Sequence, residues 1–395
     1  MKTKNGSTAA PARDLEEALV PLLARLVEAP SGSHERDDVE AAAAILDEAA
    51  GAIGLSIERV PDPEGRFADH RVYASEAARG DAPALALVGH VDTVYPRSLG
   101  FFGFRREGGD AFGPGVLDMK SGLAMIFTAL ARLHDAGDLG ALAVRAVVVS
   151  DEEVGSPSSA PLYARLAPHT SAALVFEHGR AGDAVVTARK GTASFTIEAR
   201  GRASHAGLAH ADGVNAIAAL AEVIGRVEAA TDYARGITFN VGLVEGGTST
   251  NTVPERARCR VDARFAAPED GAQLEASLRA AIAAPRTGRL AQAHLTLEGG
   301  VNRPAMAPTA ASRALAARYA LHAAASGLGT GEAPLQGGGS DANLLAAHGV
   351  PVIDGLGPAG AGAHQRAERC SLPSLARKTD ALARFLADWA RSPLL

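Results

Sequence analysis

From Asp14 the chain places Leu15, Leu19, Leu22, Leu23 and Leu26 at spacings of three and four, the period of a helix with one apolar face. A second segment rich in Ala, Ile and Leu, from about 38 to 53, predicts another helix. The texture then changes to short apolar runs at 84–88, 143–149, 172–176 and 350–353, separated by helical stretches such as 122–134. Runs without polar alternation predict strands buried on both faces of a mostly parallel sheet, because a sheet covered by helices has no wet face. Residues 1–11 carry no such pattern and predict a loose tail.

Between about 190 and 302 the pattern becomes alternation with period two, as in Phe195, Ile197 and Ala199 and again in Cys259, Val261, Ala263 and Phe265. One-sided strands follow. The predicted order is strand (193–200), helix (213–229), strand (236–244), strand (257–265), helix (269–284), strand (293–298), the split β-α-β-β-α-β arrangement. Helices and a buried-type strand resume after Pro304. The expected organisation is therefore an α/β core built from 12–189 and 303–395, interrupted at 190–302 by a ferredoxin-like α+β domain. Joined to the core by two crossings, that insert is expected to move as a rigid lid.

Composition narrows the function classes. A formal charge of −6 over 395 residues gives no reason to expect nucleic acid or an anionic membrane as partner, so a small-molecule substrate is expected. Two cysteines, Cys259 and Cys370, exclude a disulfide framework and a Cys-rich zinc site, and both are expected to be inert, partly buried thiols. No run of 18 apolar residues and no N-terminal apolar segment occur, so a cytoplasmic location is expected. Neither a Rossmann nor a P-loop glycine pattern follows a strand.

Side chains of metal-ligand type stand at the ends of the buried runs. The run at 84–88 leads into Gly89-His90-Val91-Asp92, that at 143–149 into Asp151-Glu152-Glu153, that at 172–176 into Glu177, and that at 350–353 through a glycine-rich loop to His364. Gly113-Pro114-Gly115 and Asp118 precede a helix. Open α/β sheets bind ligands outside the carboxyl ends of their strands, so these separate stretches are expected to converge on one edge. Each residue alone reads more readily as a cap or turn residue than as a ligand. Jointly, two histidines and several carboxylates form a nitrogen and oxygen donor set that suits zinc, with cobalt and manganese as substitutes.

The blocks Gly89-His90-Val91-Asp92-Thr93-Val94, Gly113-Pro114-Gly115-Val116-Leu117-Asp118-Met119-Lys120, Asp151-Glu152-Glu153-Val154-Gly155, Phe176-Glu177 and Gly362-Ala363-His364 resemble, in order, the metal-binding blocks of the carboxypeptidase G and aminoacylase family of dinuclear zinc hydrolases. That resemblance implies a zinc-exopeptidase core holding two zinc ions per chain. Asp118 would bridge them, with His90 and Glu177 completing one ion and Glu153 and His364 the other. Glu152 would be the general base, and Asp92 would orient His90. Gly201-Arg202-Ala203-Ser204-His205-Ala206-Gly207 resembles the family's lid segment, which makes His205 an oxyanion donor and implies a homodimer through the inserted domain. Asn251, Arg264 and Arg303 fall in segments that resemble those holding a substrate carboxylate, a task suited to the arginine fork. Arg264 reads equally as a solvated strand residue. Arg180 and Lys190 are further basic groups for a second carboxylate, and the loop Gly337-Gly338-Gly339-Ser340-Asp341 reads either as an anion site or as a tight turn.

The leading expectation is a metallopeptidase that cleaves an amide to release an amino acid with a free α-carboxylate, as a glutamate carboxypeptidase does. An N-acyl-amino-acid deacylase, of the acetylornithine or succinyl-diaminopimelate type, is the alternative within hydrolases. A catalytically inactive relative that binds amino acids is the alternative from another class.

Overall fold

The computed structural model describes residues 12–393. They form two compact units. One comprises the described chain up to Thr187, Pro308–Pro334 and the segment from Ser340 onward; the other comprises Ala188–Ala307 and Leu335–Gly339. The chain thus passes between units after Thr187, Ala307, Pro334 and Gly339.

The first unit is built on a six-stranded sheet in the order Ser56–Val60, His70–Ala74, Val144–Val149, Ala84–His90, Thr170–Val175, Val352–Ile353. The last four run parallel, as the apolar runs predict. Alternate residues of the central strand serve two layers. Leu85 and Leu87 enter the core with Leu123, Ile126 and Phe127 of the helix Lys120–Asp135. Ala84, Ala86 and Val88 lie on the opposite face with Tyr163, Leu166 and Leu345. Helices Ala12–Glu28, Lys120–Asp135 and Leu372–Arg391 pack on one another and bury Leu19, Leu23, Leu123, Leu375 and Phe385 completely. Burying one such side chain stabilises the fold by about 1.5–3 kcal/mol.

Two strands escape the apolar-run criterion. Ser56–Val60 and His70–Ala74 pair antiparallel at the edge of the sheet, and their sequences SIERV and HRVYA contain no continuous apolar run. Arg71 explains how a charged residue enters the second of them. Its side chain is 1 % exposed, yet it donates to Glu40 Oε2 at 2.6 Å, Asp47 Oδ1 at 3.2 Å and the Asp69 carbonyl at 2.7 Å. The expected strand at 350–353 shortens to Val352–Ile353, since Pro351 has no N–H to give to a ladder.

A small second sheet was likewise not evident, because its strands are two or three residues long. It runs Gly360–Ala361, Arg369–Ser371, Asp110–Phe112, Arg105–Glu107. Its register pairs Arg369 with Phe112 and Ser371 with Asp110, which carries residue 368 to the loop that begins at Gly113.

The second unit holds a four-stranded antiparallel sheet in the order Thr238–Gly246, Arg256–Phe265, Gly191–Arg200, His294–Arg303. Helices Ala216–Ala229 and Asp270–Ala283 supply Leu220, Val223, Leu274 and Leu278 to a core shared with Phe195, Ile197, Phe239 and Val261. This is the order of a split β-α-β-β-α-β fold. Leu335–Gly339 joins the unit because Gln336 donates its N–H to Ala188 O at 3.1 Å and accepts from Lys190 N–H at 2.8 Å. Cys259 and Cys370 are free and fully buried rather than partly so, and burial pushes the Cys259 thiol up to about 11. Among the described residues no helix is long and apolar enough to cross a membrane.

Candidate active site

Three neighbouring parallel strands deliver the first ligand-type residues to one edge. Ala84–His90 ends on His90, Val144–Val149 leads to Glu152 and Glu153, and Thr170–Val175 leads to Glu177. Asp118 comes from just before the helix Lys120–Asp135, which lies unusually close to these strand ends. Glycine makes the approach feasible. A Cβ at Gly89 would sit 2.5 Å from Met119 Cε, and one at Gly122 would sit 2.6 Å from the Phe176 carbonyl.

His90 Nε2 stands 3.5 Å from Asp118 Oδ1 and 3.8 Å from Glu177 Oε1. On the other side of Asp118, His364 Nε2 stands 3.4 Å from Asp118 Oδ2 and 3.1 Å from Glu153 Oε2. The result is two groups, His90/Asp118/Glu177 and Asp118/Glu153/His364, each with its ligand atoms within 4.8 Å of one another. Asp118 belongs to both. Glu152 is buried beside them and belongs to neither. His364 has φ +63°, a left-handed conformation that side chains with a Cβ seldom adopt and that commonly marks functional positions.

Asp92 does more than the expected orientation of His90. The ring Nδ1 of His90 lies 3.0 Å from the Asp92 backbone carbonyl and 3.4 Å from its Oδ1. A carbonyl only accepts, so Nδ1 carries a proton and Nε2 is the nitrogen presented to Asp118 and Glu177. The Asp92 carboxylate, fully buried, also accepts the Ser33 hydroxyl at 2.7 Å and the N–H groups of Glu152 at 3.3 Å and Glu153 at 3.2 Å. It therefore anchors the turn that carries both glutamates.

The electrostatics fit a cation. Burial disfavours the His90 imidazolium, but the Asp118 and Asp92 carboxylates outweigh it and hold its pKa well above the usual range. Asp118 is lowered well below the usual carboxylate range, since His364 and His90 overcome the effect of burial. Burial, then the charges of Asp118 and Glu152, push Glu177 well above its usual value; burial also raises Glu153. The His364 imidazole is pushed up to about 10 by Asp118 and Glu153. Asp118, Glu152, Glu153 and Glu177 thus gather four carboxyl groups beside the imidazoles of His90 and His364. His90 Nε2 and Asp118 Oδ1 are buried without any hydrogen-bond partner. Buried polar atoms seldom go unsatisfied, and this donor set of imidazole nitrogens and carboxylate oxygens suits zinc.

In the second unit, Ser204–His205 pairs with Thr252–Val253, and Ala206 N–H donates to Asn251 O at 2.9 Å, so His205 and Asn251 are neighbours. His205 is exposed, and its Nδ1 accepts from the N–H groups of Gly207 at 3.1 Å and Leu208 at 3.2 Å. Arg264 and Arg303 flank Thr192 from the two adjoining strands. Arg303 is buried, and the Arg264 fork is engaged by Asp262, with Nε to Oδ1 and Nη2 to Oδ2 both at 2.8 Å. Ser340 caps the seven-residue helix Asp341–Ala347 with a reciprocal capping box with Asn343, which accounts for the glycine-rich loop as a turn into a capped helix.

Four residues of the first unit lay outside the sequence reading. Ser33 holds Asp92; His178 Nδ1 lies 3.8 Å from Asp118 Oδ2 while Arg180 donates to its Nε2; Tyr95 and Glu368 join the loops of the site. His178 carried a signal, as a ligand-type residue directly after Glu177. Glu368 carried none beyond being an acid four residues after His364.

Residues 187–286 match the peptidase dimerisation domain of M20 proteins. Over 382 residues the chain is 30% identical to carboxypeptidase G2 of Pseudomonas sp. (strain RS-16), a match covering 95% of this chain and 90% of that protein. This chain belongs to the M20 family of metallohydrolases. It is also 27% identical over 391 residues to succinyl-diaminopimelate desuccinylase of Acidiphilium cryptum, covering 93% of this chain and 97% of that one. In fold it resembles the crystal structure of aminopeptidase PepT from Bacillus cereus, with a TM-score of 0.77 at 23% identity over 94% of this chain and 98% of the other. As a member of the M20 family the chain is a hydrolase of the peptidase and amidohydrolase class.

Proposed function

We propose that this M20 enzyme uses two metal ions, zinc in the first instance, to hydrolyse an amide and release an amino acid with a free α-carboxylate, as a glutamate carboxypeptidase does. The observation that carries the reading is Asp118, common to two ligand groups, with Glu152 buried alongside in neither. His90 and Glu177 would complete one position, Glu153 and His364 the other. Ions held there would polarise the scissile carbonyl and make a water acidic enough to attack it near neutral pH. Glu152 would take a proton from the attacking water and pass it to the leaving amine. Asp92 keeps His90 Nε2 facing its ligand group and fixes the turn bearing Glu152.

The roles of the second unit rest on the family resemblance and on local geometry. With Nδ1 of His205 accepting two N–H groups, its proton sits on Nε2, as a donor to the oxyanion requires. Arg303 is the first choice for the substrate carboxylate on the resemblance of its segment, and the Arg264 fork pairs with Asp262. Asn251, next to His205, would help hold the same group. The dimerisation-domain match supports a homodimer through this unit.

The experiment is a substrate panel on the metal-loaded enzyme: N-acyl amino acids, dipeptides and folate-type amides, each as the free acid and as its α-amide, with N-succinyl-diaminopimelate included. Strong preference for the free acid is expected. Arg303→Ala should lower kcat/KM for the free acid by roughly 10- to 100-fold, mainly through KM, and leave the α-amide nearly unchanged, since the loss is one charge-assisted contact. Equal turnover of acid and α-amide by the parent enzyme would contradict the α-carboxylate reading, and turnover confined to N-succinyl-diaminopimelate would favour the desuccinylase.

A further inference from the structure

Glu368, like Asp92, is a fully buried acid that joins the loops of the site without belonging to either ligand group. Its Oε1 accepts the N–H groups of Leu117 at 2.8 Å and Asp118 at 2.9 Å. Its Oε2 accepts the N–H of Gly115 at 3.0 Å and the hydroxyl of Tyr95 at 2.8 Å. All four contacts fall on segments that carry ligands. Gly115 to Asp118 is the loop presenting Asp118. Tyr95 follows His90 and Asp92 in the next loop, where its ring is also held edge-on by Phe101 at 5.0 Å. Glu368 itself closes the turn after His364, with its N–H donating to Gln365 O at 3.0 Å and that of Gln365 to Gly362 O at 2.9 Å.

A carboxylate that accepts four donors in this way has no donor of its own to misplace, and bonds to a charged acceptor are the stronger kind. Its grip on the backbone N–H of Asp118 matters most, since the Asp118 side chain is shared by both ligand groups. We propose that Glu368 is a positioning residue that sets the placement of Asp118 between His90 and His364, and hence the spacing of the two metal positions. The inference rests on the two-metal reading above. The small sheet builds it in: the pairing of Arg369 with Phe112 delivers Glu368 to the Asp118 loop.

Glu368→Gln replaces one oxygen by an amide whose protons would face the N–H of Gly115 or those of Leu117 and Asp118. The test is titration of chelator-stripped protein with zinc against a competing chelator, together with the visible absorption of the cobalt-loaded form. For Glu368→Gln, zinc affinity should fall roughly 10- to 100-fold, as it does when a partner that orients metal ligands is lost. The cobalt bands should shift, and kcat should fall more than KM rises. Tyr95→Phe, which removes one of the four donors, should change the same readouts in the same direction to a smaller extent. Arg71→Ala, which breaks the buried cluster with Glu40 and Asp47, is the control for general destabilisation and should keep the parent affinity and spectrum. A folded Glu368→Gln chain with parental affinity and cobalt bands would overturn the proposal. Should that chain not fold, unchanged affinity and bands in Tyr95→Phe would overturn it instead. An equal affinity loss in Arg71→Ala would reduce Glu368 to a structural residue, and a parent chain that takes up no zinc would overturn the two-metal reading as well.

Discussion

Replacing Glu152 with Gln is expected to lower kcat by about 10²- to 10⁴-fold, the usual contribution of a general acid–base group. The metal content should remain that of the parent. Both expectations follow from its place. Glu152 sits in the turn after Val144–Val149, its backbone N–H held by Asp92 Oδ1, and it is buried beside two ligand groups in which it takes no part. The neutral amide keeps size and shape but cannot accept a proton from the attacking water. Metal analysis and single-turnover kinetics on the same preparation check both halves. Near-parental kcat would remove Glu152 from proton transfer, and loss of metal would make it a ligand.

Asp118→Ala is expected to lose zinc from both positions, and with it essentially all turnover. Asp118 supplies a different oxygen to each side, Oδ1 facing His90 and Oδ2 facing His364. Removing it leaves His90/Glu177 and Glu153/His364 as pairs, so neither is a three-ligand site. Substituting His364 alone should weaken one position and leave the other. Two zinc ions per chain in Asp118→Ala, measured after removal of loosely held metal, would show that the two groups do not share this residue.

Much of the candidate site was legible because its ligand-type residues sit where apolar runs stop. His90, Glu153 and Glu177 each follow a stretch whose unbroken apolar character marks a strand between two helical layers, so their convergence follows from parallel pairing. The inserted unit was legible for a related reason, since period-two alternation such as Phe195, Ile197 and Ala199 records a sheet with one covered face. What escaped depends on long-range contacts that leave no local periodicity. Ser56–Val60 is largely exposed, and His70–Ala74 is buried only because Glu40 and Asp47 neutralise Arg71. Glu368 becomes a buried acceptor through strands too short to pattern. Arg264 illustrates the converse: an arginine in a suggestive segment whose fork is taken up by Asp262 two residues away.

The proposed chemistry is tested most directly by following hydrolysis of an N-acyl amino acid while zinc is added stepwise to metal-free protein. Turnover should be negligible at the start, rise with added zinc, and level off at two equivalents per chain, since each ligand group sharing Asp118 would hold one ion. Full activity in metal-free protein, or a plateau reached at one equivalent with no further zinc bound, would contradict the two-metal reading.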